Sequence, residues 1–200
     1  MIILEPRWKS YIVETTNPVL TPQQCDELIR IGQSEPKING TVWSGKAGAT
    51  KVDNQYRKSI ISWIPFFKAE TIYSDIKQWL EVTNNNYFGF DSVQLSEEGQ
   101  YAEYSKGGFY TWHMDSITEM SAMPPVRKIS MTLLLNDPKN YEGGELELFS
   151  GEKLDSEKNK FKLKQGHAVF FASFLLHRVM PVIKGNRKSL VMWFGGSPLR

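Results

Sequence analysis

Apolar residues along this chain fall into two textures. Between Pro18 and Ser34, Cys25, Leu28, Ile29 and Ile31 recur at a spacing of three to four, the period of one helical face. Ahead of them Thr21 stands as an N-cap, Pro22 at the first helical position and Gln24 where a capping box takes Glu or Gln, so a helix is predicted to start at Thr21. A second helix is predicted over about 67–82 from Ile72, Ile76, Trp79 and Leu80, closed by a turn at Asn84, Asn85 and Asn86. Between the two, 34–58 is polar, carries Gly40, Gly45 and Gly48 around Trp43, and follows neither period; it reads as a loop. From Tyr87 onward, short runs of aromatic and β-branched residues are broken every ten or so positions by Gly, Pro, Asn and Asp. Strands are predicted at 93–96, 99–105, 109–113, 127–135, 145–149, 167–172, 177–183 and 188–194. Two helices followed by these strands predict an α+β fold. Its form is a double-stranded β-helix, or jelly roll, buttressed on one side by the N-terminal helices. One domain over 1–200 is expected, with helical support at about 18–83 and a barrel at about 87–196.

Composition narrows the function classes. Of 200 residues, 40% are hydrophobic and 23% charged, which excludes disorder as the main state. Lys and Arg number 24 against 22 Asp and Glu, and a net charge of +2 creates no field to draw nucleic acid or an anionic membrane. The single cysteine, Cys25, excludes an internal disulfide and Cys-based zinc sites, and its place in the helical stripe assigns it to the core. No segment approaches the ~20 apolar residues that cross a bilayer, and the N-terminus lacks a basic stretch leading into an apolar run. A cytoplasmic protein with no nucleic-acid or membrane partner is expected.

Only three histidines exist, and two of them stand in a pattern that carries chemistry. His113 and Asp115, in YTWHMDS, are two apart at a strand end, where period two turns both side chains to one face. His177, at the start of a later strand, would complete two nitrogens and one carboxylate, the facial triad of non-haem Fe(II) oxygenases, which leaves coordination positions open. Beyond a turn carrying Lys184, Gly185 and Asn186 comes Arg187, which an antiparallel hairpin would return beside the strand of His177. A guanidinium in a core needs an anion, and a dicarboxylate chelating the metal at its other end would supply one. His167, directly after Gly166, reads as a turn or surface residue. The mixed-sign stretch 152–164 reads as a solvated hairpin, and Gly143 and Gly144 as a turn or bulge.

With YSKGGFYTWHMD, LLLNDPKNYEGGELEL, GHAVFFAS and HRVMPVIKGNRKSLVMW on the page, the chain resembles the 2-oxoglutarate and Fe(II)-dependent dioxygenases over about 16–196, in the prolyl 4-hydroxylase-like branch that includes the PKHD-type hydroxylases. The resemblance implies that His113, Asp115 and His177 hold Fe(II) and that Arg187 binds the distal carboxylate of 2-oxoglutarate, with O2 as the second co-substrate. It further implies that Tyr104 donates its hydroxyl to that carboxylate, that Tyr110 and Trp193 shape the substrate side of the iron, and that Arg127 contacts substrate. Where related prolyl hydroxylases can carry Thr after Gly-Gly-Glu, this chain has Leu146, so one hydrogen bond to the co-substrate is either missing or supplied by Thr132, with Ser130 a further hydroxyl on the same strand face.

The implied activity is prolyl 4-hydroxylation of a protein or peptide with release of succinate and CO2. The Gly-rich segment around Trp43 and Arg57 would close over the peptide as a lid. Hydroxylation of a free amino acid or other small metabolite is the enzymatic alternative, and a non-catalytic metal-binding barrel acting as a sensor or binding module is the other. Core packing alone would also account for Tyr104, Tyr110 and Trp193. Arg187 weighs against a mere metal binder, which has no need of a buried cation.

Overall fold

The aromatic and β-branched runs that suggested strands build a major and a minor sheet. The computed structural model describes residues 10–43, 50–116, 125–149, 151 and 159–198. In chain order the strands are β1 (Ile12–Glu14), β2 (Ile38–Asn39), β3 (Thr41–Trp43), β4 (Thr50–Val52), β5 (Arg57–Lys58), β6 (Ile60–Ile64), β7 (Gln94–Leu95), β8 (Gly99–Tyr104), β9 (Phe109–His113), β10 (Val126–Leu134), β11 (Tyr141–Gly143), β12 (Leu146–Leu148), β13 (Lys160–Phe161), β14 (Ala168–Ala172), β15 (His177–Val179), β16 (Val182–Gly185) and β17 (Arg187–Gly196). The helices are α1 (Pro22–Ser34) and α2 (Glu70–Thr83). A major sheet runs β1-β14-β10-β17-β8-β6-β2, with β7 on the end of β17, and a minor sheet runs β13-β12-β15-β9-β5. All pairings are antiparallel, as a double-stranded β-helix requires.

Period two divides the major sheet into an apolar and a polar face. Ile129, Met131 and Leu133 of β10, Ala168 and Phe170 of β14, and Leu190, Met192 and Phe194 of β17 join Leu28, Ile31, Ile72, Ile76 and Leu80 of the helices in one core cluster. The alternate positions, Ser130, Thr132 and Leu134 of β10 and Arg187, Ser189, Val191 and Trp193 of β17, therefore face the minor sheet. A fully buried Phe or Leu contributes roughly 1.5–3 kcal/mol, so the helical side carries the stability and leaves the other face available for chemistry. α1 starts with the capping box of Thr21 and Gln24 and with Pro22 at its first position. Cys25 is fully buried in it, and burial pushes its thiol up to about 12, which leaves it protonated and inert.

Several expectations are corrected. The stretch 34–58 is not one loop: β2, β3, β4 and β5 lie in it, each too short for a period to show, while 44–49 falls outside the described residues. β1 and β6 were not expected, and β2 and β6 carry the N-terminal region into the major sheet rather than leaving it as helical support. The Asn84–Asn86 run does not end the helix in a simple turn. A π-helical turn, Asn84–Phe88, follows α2 and stops at Gly89 in the left-handed conformation. The strand expected at 177–183 is two strands in different ladders, β15 with β12 and β9 and β16 with β11, because Pro181 has no N–H to continue a ladder. Gly143 and Gly144 sit at a bulge with φ of +74° and +70°. Of the stretch 152–164, residues 152–158 lie outside the described residues, and Lys160–Phe161 forms an edge strand on β12.

α1 lies so close to β8 that Gly32 meets the Tyr101 ring: a Cβ there would stand 2.4 Å from Tyr101 Cγ, and the Gly32 carbonyl accepts a 2.6 Å bond from Ser62 Oγ. Gly→Ala within a helix ordinarily stabilises by about 1 kcal/mol. Here Gly32→Ala is expected to destabilise by roughly 1–3 kcal/mol, the cost of overpacking, read as a lower denaturant midpoint in equilibrium unfolding.

Candidate metal centre and its surroundings

β9 and β15 pair so that His113 and His177 stand directly opposite one another, with ring centroids 4.0 Å apart. Each imidazole is oriented by its own strand: His113 Nδ1 lies 2.8 Å from the Thr111 carbonyl and His177 Nδ1 lies 3.0 Å from the Leu175 carbonyl. A carbonyl only accepts, so the proton sits on Nδ1 and both Nε2 lone pairs are presented inward. Asp115 completes the set, its Oδ1 3.6 Å from His113 Nε2 and its Oδ2 3.3 Å from His177 Nε2, and the three ligand atoms lie within 4.8 Å of one another. Asp115 is not delivered by strand period, because β9 ends at His113; the backbone N–H groups of Asp115 and Ser116 both donate to the Ser173 carbonyl, at 2.9 and 3.0 Å. Ser130 Oγ donates to Asp115 Oδ2 at 2.8 Å and lies 2.9 Å from Ser173 Oγ.

The protonation states follow from burial and proximity. Burial, then the neighbouring His177, press His113 down to about 3, so it is neutral. Burial works against ionising Asp115, yet His177, His113 and the Ser130 hydrogen bond hold its carboxyl below the usual range. Burial also opposes charging His177, but the Asp115 carboxylate outweighs it and raises the imidazole above its ordinary value. Two neutral-capable nitrogens and an ionised oxygen, with outer groups fixing each, fit a divalent transition metal.

Around this cluster lie the other expected residues. The Tyr110 ring stacks on His113, centroids 3.5 Å apart and 15° from parallel. Over its far side sits the Arg57 guanidinium, 4.6 Å from the ring centroid. Arg57 is buried and donates to Ser59 Oγ, the Thr41 carbonyl and Gln100 Oε1 at 2.8, 3.3 and 2.7 Å. Burial drives the Tyr110 phenol up to about 12, with the Arg57 charge opposing. Trp193 stands opposite Ser130 in the ladder, and the Arg127 guanidinium covers its ring at 4.0 Å. Arg127 is not a free cation: its Nε donates to Glu97 Oε1 at 2.6 Å and its NH2 to Glu97 Oε2. Trp193 is 6% exposed, and its indole N–H has no partner among the described residues.

Arg187 opens β17 opposite Tyr104 of β8, with its guanidinium 5.7 Å from the Tyr104 ring and NH1 donating to Ser189 Oγ at 2.9 Å. The expectation that a hairpin returns it beside the strand of His177 is corrected: β15 belongs to the minor sheet and β17 to the major one, so the two strands are not ladder neighbours. Thr132 is buried between Val169 and Val191. His167 lies outside this group, its Nδ1 3.0 Å from the Thr15 carbonyl. Glu97 and Ser173 were not foreseen; a lone acid and a lone serine carry no sequence signal. Arg57, foreseen only as part of a lid, is a buried wall of the site, and Gly45 and Gly48 of that lid fall outside the described residues.

Comparison with known proteins converges on one description. Residues 99–195 match the family model of the 2OG-Fe(II) oxygenase superfamily. A PKHD-type hydroxylase of Picosynechococcus sp. is 40% identical over 177 residues, covering 88% of this chain and 74% of the relative. Two further PKHD-type hydroxylases are 38% and 40% identical over 92 residues, a match that spans only 40% and 39% of their own lengths. Among solved structures, the viral collagen prolyl hydroxylase of Paramecium Bursaria Chlorella virus-1, described as a 2OG complex, superposes with a TM-score of 0.68 at 22% identity, over 94% of this chain and 97% of that one. A Trichoplax adhaerens prolyl hydroxylase in complex with a hypoxia inducible factor peptide fragment gives 0.70 at 19% identity, over 93% and 84%.

Replacing His113, Asp115 or His177 with Ala is expected to abolish tight Fe(II) binding, and Ser130→Ala to weaken it about 10- to 100-fold, the usual effect of removing an outer partner. Anaerobic titration with Fe(II) against a competing chelator reads both, and unchanged affinity in His177→Ala would remove the assignment.

Proposed function

The chain belongs to the 2-oxoglutarate/Fe(II) oxygenase superfamily, in its PKHD-type hydroxylase branch, and on that premise we propose that it hydroxylates a prolyl residue of a peptide or protein at C4. When bound, Fe(II) with 2-oxoglutarate and O2 supplies the oxidation, with release of succinate and CO2. His113, Asp115 and His177 would hold the metal through two imidazole nitrogens and a carboxylate, with the proton that Asp115 favours on His177 released on binding. Arg187 receives the distal carboxylate of 2-oxoglutarate through a charge-assisted fork, with the Tyr104 hydroxyl as a second donor.

The observation that carries the peptide reading is the indole of Trp193, buried with its N–H unpaired and set opposite Ser130, the hydrogen-bond partner of Asp115, in the ladder. A buried donor left unsatisfied costs about 1–3 kcal/mol; an amide carbonyl arriving with the substrate would satisfy it. Tyr110 on one side and Arg127, clamped to Glu97 over the Trp193 ring, on the other make stiff walls that orient such a chain and exclude water. The peptide and collagen relations of the two solved neighbours support the same substrate class. No described helix is long and apolar enough to cross a membrane, and a reducing cytoplasm, which keeps Fe(II) and the Cys25 thiol reduced, goes with this reading.

Proline-containing peptides are expected to stimulate succinate formation from 2-oxoglutarate and to gain the mass of one oxygen. Trp193→Phe, which keeps an aromatic ring but removes the N–H, is expected to lose about tenfold in peptide hydroxylation while retaining most of the peptide-independent succinate formation. A parent protein that no proline peptide stimulates would instead direct attention to a free amino acid or other small metabolite.

Arg187→Ala is expected to weaken 2-oxoglutarate binding by roughly 3–5 kcal/mol, as when one partner of a buried pair is removed, with Fe(II) affinity kept. An unchanged 2-oxoglutarate affinity in calorimetric titration would show that Arg187 serves another purpose.

A further inference from the structure

We propose that Tyr141 supplies the second hydroxyl at the distal-carboxylate site, filling the position that Leu146 leaves apolar; this rests on the proposed function and adds to it a residue that no family motif assigned. Tyr141 pairs with Gly185 in the β11–β16 ladder, and Arg187 follows two residues later at the start of β17. Its ring packs against the inner cluster of Leu134, Leu146 and Leu163. A cavity of about 400 Å³ is lined by these three leucines together with Tyr141 and Arg187 and not by Thr132, while Tyr104 meets Arg187 from the neighbouring strand β8, its ring 5.7 Å from the guanidinium. Among the described residues, Tyr141 thus carries the one hydroxyl in that lining.

The chemistry of the cavity selects a carboxylate end. Arg187 is 2% exposed, and no described carboxylate pairs with it; the groups at its guanidinium are the hydroxyls of Ser189 and Tyr141. Among the described lining residues, Lys162 and Lys164 are matched in number by Glu142 and Glu145, which leaves the charge of Arg187 as the excess. Gly144 fixes the direction of that charge: a Cβ there would lie 3.0 Å from Arg187 Cδ and 2.9 Å from Val182 Cγ2, so the arginine stem runs directly beneath a backbone that only glycine leaves clear. Besides Lys162 and Lys164, the Tyr141 O–H is the side-chain donor of the described lining that can share an anion with Arg187, and it already reaches the guanidinium. Thr132, two residues along β10 from Leu134 and buried between Val169 and Val191, is not part of the cavity wall.

Calorimetric titration of Fe(II)-loaded protein under anaerobic conditions tests this with two ligands: 2-oxoglutarate, and 2-oxobutyrate, which keeps the keto acid but lacks the distal carboxylate. Tyr141→Phe is expected to raise the Kd for 2-oxoglutarate roughly tenfold and to leave that for 2-oxobutyrate as in the parent; Thr132→Val should change neither. The inference is overturned if Tyr141→Phe binds 2-oxoglutarate like the parent, if it weakens both ligands equally, or if Thr132→Val shows the loss instead. Failure of the underlying reading looks different: a parent that binds neither keto acid, or an Arg187→Ala variant as tight as the parent for 2-oxoglutarate, removes the co-substrate pocket and this role for Tyr141 together.

Discussion

The register between β9 and β15 is the constraint on which the site depends. His113 and His177 meet because they are opposite in one antiparallel pair, and a slip of one residue would turn one imidazole to the outside. Both strands are short, five and three residues, so the ladder alone does not hold that register. Two other forces do. Val179 and Tyr110 pair one step along, packed with Tyr104 and Val182 in an apolar cluster inside the barrel, and a register shift between His177 and Val179 lets both the ligand and its apolar neighbour face inward. At the other end, Asp115 and Ser116 are tied to Ser173, which follows β14 of the major sheet. The two sheets are thus locked together at the point where the three ligand atoms converge.

The inner face can be polar because the outer face is not. Along β10 and β17 one set of alternate residues is aliphatic or aromatic and covered by α1 and α2, whereas the other set includes Ser130, Thr132, Arg187 and Ser189. Burying hydroxyls and a guanidinium is unfavourable unless each finds a partner. Here Arg187 binds Ser189 within the face itself, and Ser130 binds Asp115, which follows β9 of the minor sheet. The polar set is a network supported from behind by the helical core, which is why the helices matter to the chemistry although none of their side chains reaches it.

How much of this was legible in the sequence depended on how local the signal was. The first helix could be read from Thr21, Pro22 and Gln24 because a cap is a matter of three adjacent residues. The long strands showed their faces, so Arg187, Ser189, Val191 and Trp193 were grouped correctly. What failed was pairing. Pro181 marks a break in the ladder but not which sheet the chain joins next, so Arg187 was placed beside the strand of His177 although β15 and β17 lie in different sheets, and β6, the five residues IISWI, was assigned to no element. Glu97 meets Arg127 across 30 positions and Ser173 meets Ser130 across 43, distances at which single residues leave no pattern.

Among the described residues, Arg57, Arg127 and Arg187 lie around the site, and their partners separate their roles. Arg127 has a carboxylate, Glu97, and lies flat on Trp193; its charge is already matched, so it serves as a stiff wall. Arg57 is buried among neutral acceptors, Ser59, the Thr41 carbonyl and Gln100, and spends its charge on the face of Tyr110, which in turn stacks on His113. Because Thr41 begins β3, Arg57 also ties the β3–β4 hairpin to the back of the metal ligand, so a movement of that hairpin would be felt at the imidazole through two stacked groups. Arg187 alone faces a cavity with hydroxyls for company. A buried guanidinium without an anion is the less stable state of such a site. The most direct relief is a ligand that brings the missing charge, and a dicarboxylate does so while leaving its other end free for the metal.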